Sequence, residues 1–196
     1  MKYIIGIDEA GRGPLAGPLA VGGVIFKGDV KIEHEYFQKG IKDSKKLTAL
    51  RREKLFTWLK ENTDIQHAVA FAPSALIDQA GVTVAIHQAL EGVLSKLIPE
   101  HCDLKDVTIL LDGGLTAPER YTNQKTIIKG DEKERAIALA SVAAKVVRDK
   151  RMIALSKKYP QYGFEQHKGY GTKAHFESIK EYGLCDEHRR RFLRRE

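Results

Sequence analysis

Cysteine is scarce in this sequence, since only Cys102 and Cys185 occur among 196 residues. The two form no CxxC pair and belong to no cluster with the spacing of zinc ligands, which argues against a zinc module. A single disulfide between them is an open alternative, but the chain has no disulfide framework of the kind that small secreted proteins use. We therefore expect a reduced protein.

Long apolar runs are also absent. No stretch approaches the ~20 consecutive apolar residues that a membrane-spanning helix needs. The first residues begin a strand pattern and lack the positive, apolar and small-residue regions of a secretory signal peptide. Internal repeats, low-complexity segments and a clear domain boundary are missing as well. These absences predict a cytoplasmic protein with no membrane partner and with a single domain over residues 1–196.

Positive charge, in contrast, is in excess. Lysine and arginine number 33 against 26 aspartates and glutamates, which gives a formal net charge of +7. Hydrophobic residues make up 42% of the chain, which is enough for a real core. A basic surface around an acidic centre suits a polyanionic partner, although mild basicity is also common without one. A monomer is the default oligomeric state.

Apolar strand patterns alternate with helical patterns along the chain. Strands are predicted at 3–7, 19–26, 67–71, 107–111 and 125–128, and helices after residue 48, from 73, over 82–97 and from about 132 to about 158. Strands come early and helices late, with βα alternation between them. This order indicates an α/β fold with a mixed central β-sheet flanked by helices. The residues from about 160 to 196 are predicted to form a small helical C-terminal part.

Acidic residues stand at three of the predicted strand ends. They are Asp8 with Glu9, Asp112, and Asp131. Because α/β folds place their sites at strand ends, we expect these four carboxylates to lie close together. Four such groups would repel one another unless cations lay between them. Oxygen ligands without His or Cys favour Mg²⁺ or Mn²⁺.

The residues leave two details of this cluster open. Asp8 and Glu9 are neighbours on one strand and point to opposite faces, so we expect a twist or a bulge to bring both to one metal pair. Asp131 stands where the N-cap of the following long helix is predicted. It can therefore serve as a cap, as a metal ligand or as both.

A short turn, Gly11-Arg12-Gly13, follows the first acidic pair directly. Glycine allows close approach to backbone N–H groups, and arginine adds a guanidinium, so the turn offers what a phosphodiester substrate needs. A nucleotide-binding phosphate loop is the alternative interpretation. The segment lacks both the lysine pattern of a P-loop and a full GxGxxG, which argues against it.

Six segments of the chain carry a pattern that can be compared with known families. They are Asp8-Glu9-Ala10-Gly11-Arg12-Gly13-Pro14, Asp43-Ser44-Lys45-Lys46-Leu47, Leu111-Asp112-Gly113, Lys129-Gly130-Asp131, the stretch 140–149, and His167-Lys168-Gly169-Tyr170-Gly171-Thr172. In this order they resemble the signature of type 2 ribonuclease H, ribonuclease HII, over nearly the whole chain. The resemblance implies a ribonuclease H-like fold. It also implies an endonuclease that hydrolyses RNA in RNA–DNA hybrids and cleaves 5′ of a single ribonucleotide in duplex DNA.

The same resemblance implies a catalytic centre and its cofactors. The four carboxylates Asp8, Glu9, Asp112 and Asp131 would be the catalytic groups and would bind two divalent ions, Mn²⁺ or Mg²⁺. The partners would be an RNA–DNA hybrid and a DNA duplex that contains ribonucleotides. The products would carry 3′-hydroxyl and 5′-phosphate ends.

Substrate-binding residues are implied in the same way. The turn Gly11-Arg12-Gly13 would read the ribose 2′-hydroxyl through backbone groups. Tyr170 would stack on the sugar of the following nucleotide and prefer a deoxyribose there. Four side chains would contact phosphates: Ser44, Lys45, Lys46 and Lys168.

Two other functions compete with this one. Ribonuclease HIII resembles the chain in its carboxylates, but it usually carries lysine in the glycine turn and a separate N-terminal domain, for which a strand at Tyr3 leaves no room. A non-catalytic module that binds hybrids would be indicated by loss of a carboxylate, and all four are present.

Arg148 and Asp149 are interpreted as a structural ion pair. The basic C-terminal tail is either a duplex contact or a solvated helix end.

Overall fold

The computed structural model describes residues 2–38 and 47–193 of the chain. These residues form five strands and eight α-helices. In chain order they are β1 (Tyr3–Ala10), β2 (Leu19–Lys27), α1 (Glu35–Gln38), α2 (Ala49–Glu61), β3 (Ile65–Ala72), α3 (Ser74–Ala80), α4 (Val82–Leu97), β4 (Val107–Asp112), β5 (Gln124–Ile127), α5 (Arg135–Lys158), α6 (Phe164–His167), α7 (Lys173–Tyr182) and α8 (Arg190–Leu193).

The strands form one mixed sheet in the order β3-β2-β1-β4-β5. β1, β2 and β3 are paired antiparallel, whereas β4 runs parallel to β1 and β5 parallel to β4. The predicted α/β fold with a mixed sheet is confirmed. Because β1, β4 and β5 point the same way, their carboxyl ends meet at one end of the sheet, where such folds place ligands.

Helices cover both faces of this sheet. α4 packs on one face against a core that includes Ile5, Val21 and Ile109. α5 crosses the other face over β1 and β2, and α2 packs beside it. The long alanine-rich helix is therefore mostly core, as its composition predicts.

Two glycines allow α5 to lie directly on the sheet. A Cβ atom at Gly6 would come within 2.2 Å of the carbonyl carbon of Ala136, and one at Gly22 within 2.5 Å of the carbonyl oxygen of Ala140. No side chain fits at either position, because the obstacle is backbone. This close packing fixes the start of α5 against the strands, and with it the residues that lead into the helix.

The long helix begins later than predicted. The chain first makes a single 3₁₀ turn at Gly130–Glu132 and then enters α5 at Arg135, with Glu134 as the N-cap residue. Of the roles left open for Asp131, that of helix cap is therefore wrong. The physical reason lies two residues before it, since Lys129 adopts the left-handed conformation at φ 54° and turns the chain before the helix can start.

Two expectations that came from absences can be compared with the structure. Both cysteines, Cys102 and Cys185, are free thiols, so the disulfide alternative is wrong. Within residues 2–38 and 47–193, no helix combines the length and the apolarity needed to cross a bilayer.

The C-terminal part packs against the beginning of the chain. The N–H of Ala16 donates to the carbonyl of Gly169 at 3.2 Å, and Ala16 also forms an antiparallel bridge with His188. The segment that follows the Gly11-Arg12-Gly13 turn is thus held between two C-terminal strips of chain. The position of each strip bears directly on the shape of that turn.

A chain of hydrogen bonds through two histidines joins these strips. The N–H of Cys185 donates to Nδ1 of His188 at 2.9 Å, which assigns the ring proton of His188 to Nε2. That Nε2–H donates to Nε2 of His175 at 3.1 Å, and Nδ1 of His175 donates to the carbonyl of Tyr170 at 2.9 Å. Both rings are neutral in this arrangement, because an additional proton on either would set two donors against each other.

We expect the stability of the protein to fall as the pH drops from about 6.5 towards 4. Burial, followed by the adjacent His175, lowers the pKa of His188 to about 4, and burial lowers the pKa of His175 as well. In that window the unfolded chain binds protons that the folded chain excludes, so stability is complete above the unfolded pKa and is lost below it. For His188 the loss in the free energy of unfolding approaches about 3 kcal/mol as the pH nears 4.

Thermal unfolding between about pH 7.5 and pH 5 tests this expectation. His188→Asn should unfold with a smaller dependence on pH than the unaltered chain, whatever its midpoint at neutral pH. His101→Asn is the matched control, because His101 is exposed, and it should retain the full dependence. An undiminished pH dependence in His188→Asn would assign the effect to other groups.

Candidate active site

Asp8 and Asp112 lie side by side at the carboxyl ends of two parallel strands. The register pairs Ile7 with Leu111, so the two aspartates are the next residues on adjacent strands, which lie ~4.8 Å apart. Ile7 and Leu111 belong to the core on the α4 face, so both aspartates point to the α5 face. On that face the Asp8 carboxylate is buried and interacts with the side chain of Ser141 on α5.

Glu9 follows Asp8 without a break in the strand. β1 pairs with β2 residue for residue through Ala10, so a bulge does not bring the two carboxylates together, and that alternative is wrong. The N–H of Glu9 donates to Oδ1 of Asp8 at 2.7 Å. Oε1 of Glu9 lies 3.5 Å from Nη1 of Arg12. Glu9 is also close enough to Asp112 for the two carboxylates to repel each other.

Asp131 is held by the turn that precedes α5. The N–H of Gly130 donates to Oδ1 of Asp112 at 2.6 Å, which joins this turn to the end of β4. Asp131 is the next residue and is fully buried. The structure thus connects the three acidic segments that the sequence singled out. Asp8 and Asp112 lie on adjacent strands, and the turn that holds Asp131 is bonded to Asp112.

Burial and mutual repulsion disfavour negative charge in this cluster. Burial, joined by repulsion from Glu9 and Asp112, raises the pKa of Asp8 well above its ordinary value. Burial also raises the pKa of Glu9, while the neighbouring Arg12 lowers it. A divalent cation would stabilise the ionised carboxylates, and hard oxygen donors suit Mg²⁺ or Mn²⁺. In the described part of the chain no three acidic, histidine or cysteine side chains already surround a metal position, so the fit is one of donor chemistry and proximity.

The two glycines of the turn Gly11-Arg12-Gly13 differ in their surroundings. Gly11 has φ 88°, and a Cβ there would lie 1.9 Å from Nε of Arg148. A Cβ at Gly13 would meet nothing within 4 Å, and Gly13 is exposed. The side chain of Arg12 is half exposed. The turn therefore presents bare backbone and one cation outward, and it is packed tightly from behind.

Arg148 supports the turn from inside the protein, and the sequence interpretation of this residue is wrong. It is fully buried and donates to the carbonyls of Pro18 at 2.9 Å and Lys168 at 3.0 Å. The expected ion pair with Asp149 does not form, because Asp149 pairs with Lys145 at 2.8 Å. Helical geometry explains the difference, since residues one apart on a helix point in different directions.

A signal for the burial of Arg148 was present in the sequence. Arg148 continues the i, i+4 row of Ala140 and Ala144, which packs against the sheet. No comparable signal marks Arg189, which stands in a run of arginines. It is fully buried, so both interpretations of the basic tail, a duplex contact and a solvated end, are wrong for this residue.

The predicted substrate residues of the C-terminal part lie next to the turn. Tyr170 exposes 46% of its surface, and its ring centre is 6.0 Å from the guanidinium carbon of Arg148. Lys168 is left-handed at φ 53°, and its Nζ donates to the carbonyl of Glu165. Three predicted phosphate contacts lie outside the described residues: Ser44, Lys45 and Lys46.

Sequence comparison places the chain among known nucleases. Residues 5–195 match the family model described as ribonuclease HII. The chain is 42% identical over 193 residues to a ribonuclease HII of Caldicellulosiruptor bescii, covering 98% of this chain and 87% of that protein. It is 44% identical over 197 residues to one of Fusobacterium nucleatum, covering 99% and 87%.

Solved structures show the same fold. Ribonuclease H2 of Pyrococcus horikoshii superposes with a TM-score of 0.73 at 27% identity, covering 98% of this chain and 99% of that one. The ribonuclease HII of Archaeoglobus fulgidus, solved in complex with PCNA, gives 0.74 at 25% identity, covering 99% and 95%. Bst-RNase HIII in complex with Mn²⁺ gives 0.63 at 16% identity and covers 98% and 69%, which supports the fold alone.

Proposed function

The chain belongs to the ribonuclease HII family, and from this premise we propose that it is an endoribonuclease that hydrolyses the RNA strand of RNA–DNA hybrids. We extend the proposal to nicking on the 5′ side of single ribonucleotides in duplex DNA by two-metal hydrolysis. The observation that carries it is the position of Asp8, Glu9 and Asp112 at the carboxyl ends of two adjacent parallel strands. The turn that holds Asp131 is hydrogen-bonded to Asp112, and an exposed glycine turn follows Glu9.

Divalent ions, Mg²⁺ or Mn²⁺, would supply activated water and stabilisation of the leaving 3′-oxygen. Asp8, which precedes Glu9 and neighbours Asp112 on the adjacent strand, would hold both ions. Glu9 and Asp112 would hold the ion nearer the leaving oxygen, and Asp131 the ion nearer the water. Arg12 would offset the charge of the scissile phosphate, since its guanidinium already lies beside Glu9.

Selection of a ribonucleotide follows from the turn beside these carboxylates. The 2′-hydroxyl is the group by which a protein distinguishes RNA from DNA at one nucleotide. It lies in a groove that a side chain would obstruct, and the open backbone at Gly13 can approach it. The exposed ring of Tyr170 would pack on the next sugar, where a second 2′-hydroxyl would meet the ring.

Phosphate binding is proposed for Lys168 and for the segment with Ser44, Lys45 and Lys46, as the family resemblance implies. Lys168 would have to release the carbonyl of Glu165 before it could reach a phosphate. We also propose a cytoplasmic monomer, one domain over residues 1–196, whose part from about 160 contacts substrate and whose partners are the hybrid and the ribonucleotide-containing duplex.

The alternative functions account less well for the same observations. The structural likeness to ribonuclease HIII rests on 16% identity, whereas the relatives at above 40% identity carry the name ribonuclease HII. A non-catalytic module would have no use for Asp8, Glu9 and Asp112 in positions where burial and mutual repulsion raise the pKa of Asp8 and Glu9.

A labelled DNA duplex with one ribonucleotide tests the proposal directly. With Mg²⁺ or Mn²⁺ we expect a single nick on the 5′ side of the ribonucleotide and no nick with a chelator. An all-DNA duplex of the same sequence is the control substrate and should stay intact. Digestion of a continuous hybrid without cleavage of the single-ribonucleotide duplex would contradict the junction activity and favour the ribonuclease HIII alternative.

Replacing Tyr170 by alanine is expected to lower cleavage at single ribonucleotides about tenfold, because stacking on a nucleotide contributes about 1–3 kcal/mol. The affinity for the duplex should fall much less, since phosphate contacts dominate it. Single-turnover cleavage and fluorescence anisotropy measure the two effects separately. Tyr182→Ala removes another exposed tyrosine of the C-terminal part and should change neither. Equal losses of cleavage and affinity in Tyr170→Ala would indicate a purely structural tyrosine.

A further inference from the structure

A single buried guanidinium holds three backbone carbonyls around the glycine turn. Nη2 of Arg189 donates to the carbonyl of Gly11 at 2.8 Å, and Nη1 donates to the carbonyl of Arg12 at 3.0 Å. Nε and Nη2 both donate to the carbonyl of Gly17, at 3.0 and 2.8 Å. Arg189 is fully buried and lies 177 positions from Arg12 in the sequence. The first two residues of the turn and Gly17, four residues beyond it, are therefore tied to one rigid, planar group.

These hydrogen bonds also determine where the N–H groups of the turn point. In a trans peptide the carbonyl and the following N–H point in opposite directions, and the described residues contain no cis peptide. With the carbonyls of Gly11 and Arg12 directed at Arg189, the N–H groups of Arg12 and Gly13 point away from it. No hydrogen bond within residues 2–38 and 47–193 uses either N–H. Two successive outward N–H groups form a concave site for an oxygen atom.

Arg189 is itself held firmly in place. Its own N–H donates to the carbonyl of Leu15 at 2.7 Å, and the preceding His188 forms the bridge to Ala16. His188 also belongs to the histidine chain that ends at the carbonyl of Tyr170. The same short C-terminal segment thus contacts the turn directly, and it is connected to the backbone of Tyr170 through His175.

Hydrogen bonds, and no ion pair among the described residues, hold Arg189 in its buried position. Neither Arg189 nor Arg148 forms an ion pair within the described ranges, and both donate to carbonyls alone. Burial, followed by the positive charge of Arg148, lowers the pKa of Arg189 to about 9. The group stays protonated at neutral pH. A buried cation that forms no ion pair is costly, so its hydrogen bonds to the backbone carbonyls have to offset that cost.

Resting on the proposed function, we infer that Arg189 is a positioning residue for ribonucleotide recognition. Its fork orients the peptides of Gly11 and Arg12 so that the N–H groups of Arg12 and Gly13 face the 2′-hydroxyl. Lysine cannot replace it. Its three N–H donors sit on one nitrogen, whereas the three nitrogens of the planar guanidinium each reach a carbonyl from a different position. The residue acts through the turn and does not touch the substrate.

Arg189→Lys tests this inference, because it keeps the charge and removes the fork. Affinity is measured by anisotropy in a chelator for two duplexes that differ only by one ribonucleotide. We expect the preference for the ribonucleotide duplex to fall at least about fivefold, because one or two hydrogen bonds from the turn to the 2′-hydroxyl are lost. Affinity for the all-DNA duplex should stay within about twofold, since that duplex has no such hydroxyl. In cleavage, kcat should fall more than KM rises. Arg151→Lys makes the same change at an exposed arginine of α5 and should leave all values unchanged.

The outcomes separate this inference from the proposed function. If the unaltered protein bound the two duplexes equally, the proposed recognition of the ribose 2′-hydroxyl would be overturned. A preference that persists in Arg189→Lys would overturn the inference alone, and equal loss of affinity for both duplexes would indicate a merely structural arginine. If the variant does not fold, backbone ¹⁵N relaxation of the unaltered protein decides. Order parameters of about 0.85 at Arg12 and Gly13 are expected, and values below about 0.6 would contradict a positioned turn.

Discussion

Asp8→Asn is expected to lower cleavage at least about a thousandfold and to leave duplex affinity within about twofold. The amide has nearly the same shape as the carboxylate and can still accept the hydrogen bond from the N–H of Glu9. It has lost the negative charge and one of two oxygen donors, at the position between Glu9 and Asp112. Binding depends on the basic surface and the turn, which the change does not touch.

Metal binding provides a measurement that does not depend on activity. In a chelator, Asp8→Asn should unfold at the same temperature as the unaltered protein or higher, because the repulsion from Glu9 and Asp112 that acts on Asp8 is removed. Addition of Mg²⁺ or Mn²⁺ should raise the midpoint of the unaltered protein and have little effect on the variant. Asp149→Asn is the matched control, since Asp149 pairs with Lys145 away from the cluster. If affinity for the duplex fell as far as cleavage, Asp8 would not have the proposed role.

Substitution by alanine should affect stability at Gly11 and cleavage at Gly13. Gly11→Ala is expected to lower the free energy of unfolding by at least about 2 kcal/mol, because φ is positive and the new Cβ would overlap Arg148. Gly13→Ala should leave stability within about 0.5 kcal/mol, since a Cβ there meets nothing within 4 Å. Cleavage by Gly13→Ala should nevertheless fall about a hundredfold, because the methyl group would occupy the position at which we propose that the ribose approaches.

Urea unfolding and single-turnover cleavage of the single-ribonucleotide duplex measure both responses. Gly28→Ala is the control, since its Cβ would make an ordinary contact at 3.5 Å with the Lys2 carbonyl and it lies in a turn after β2, at the amino-terminal end of β1. It should change neither quantity. Cleavage by Gly13→Ala at the unaltered rate would show that the ribose does not approach this backbone. An undiminished stability of Gly11→Ala would show that Arg148 is not packed against the turn.

The sequence by itself determined the secondary structure in its regular parts. The helix over 82–97 is confirmed with its bounds, and the hydroxyl of Thr48 caps α2 by accepting from the N–H of Arg51. Each of the five predicted strands exists within three residues of its expected ends. Apolar periodicity and capping act over a few residues, so a local pattern carries this information. The acidic strand ends belong to the same class of evidence, because parallel strands bring their ends together whatever the rest of the fold does.

Only the tertiary structure decided the start of α5 and the surroundings of the turn. Lys129 takes a left-handed conformation that its residue type does not favour, and Asp131 is placed before the helix as a result. Arg189 is buried by contacts with residues 172 or more positions away, which no local pattern encodes. The helical row of Arg148 indicated its burial, but its hydrogen-bond partner Pro18 lies 130 positions away and was set by the fold. A run of arginines is normally a solvated surface. Arg189 lies inside the protein because the distant carbonyls of Gly11, Arg12 and Gly17 need donors, and a planar guanidinium can supply them together.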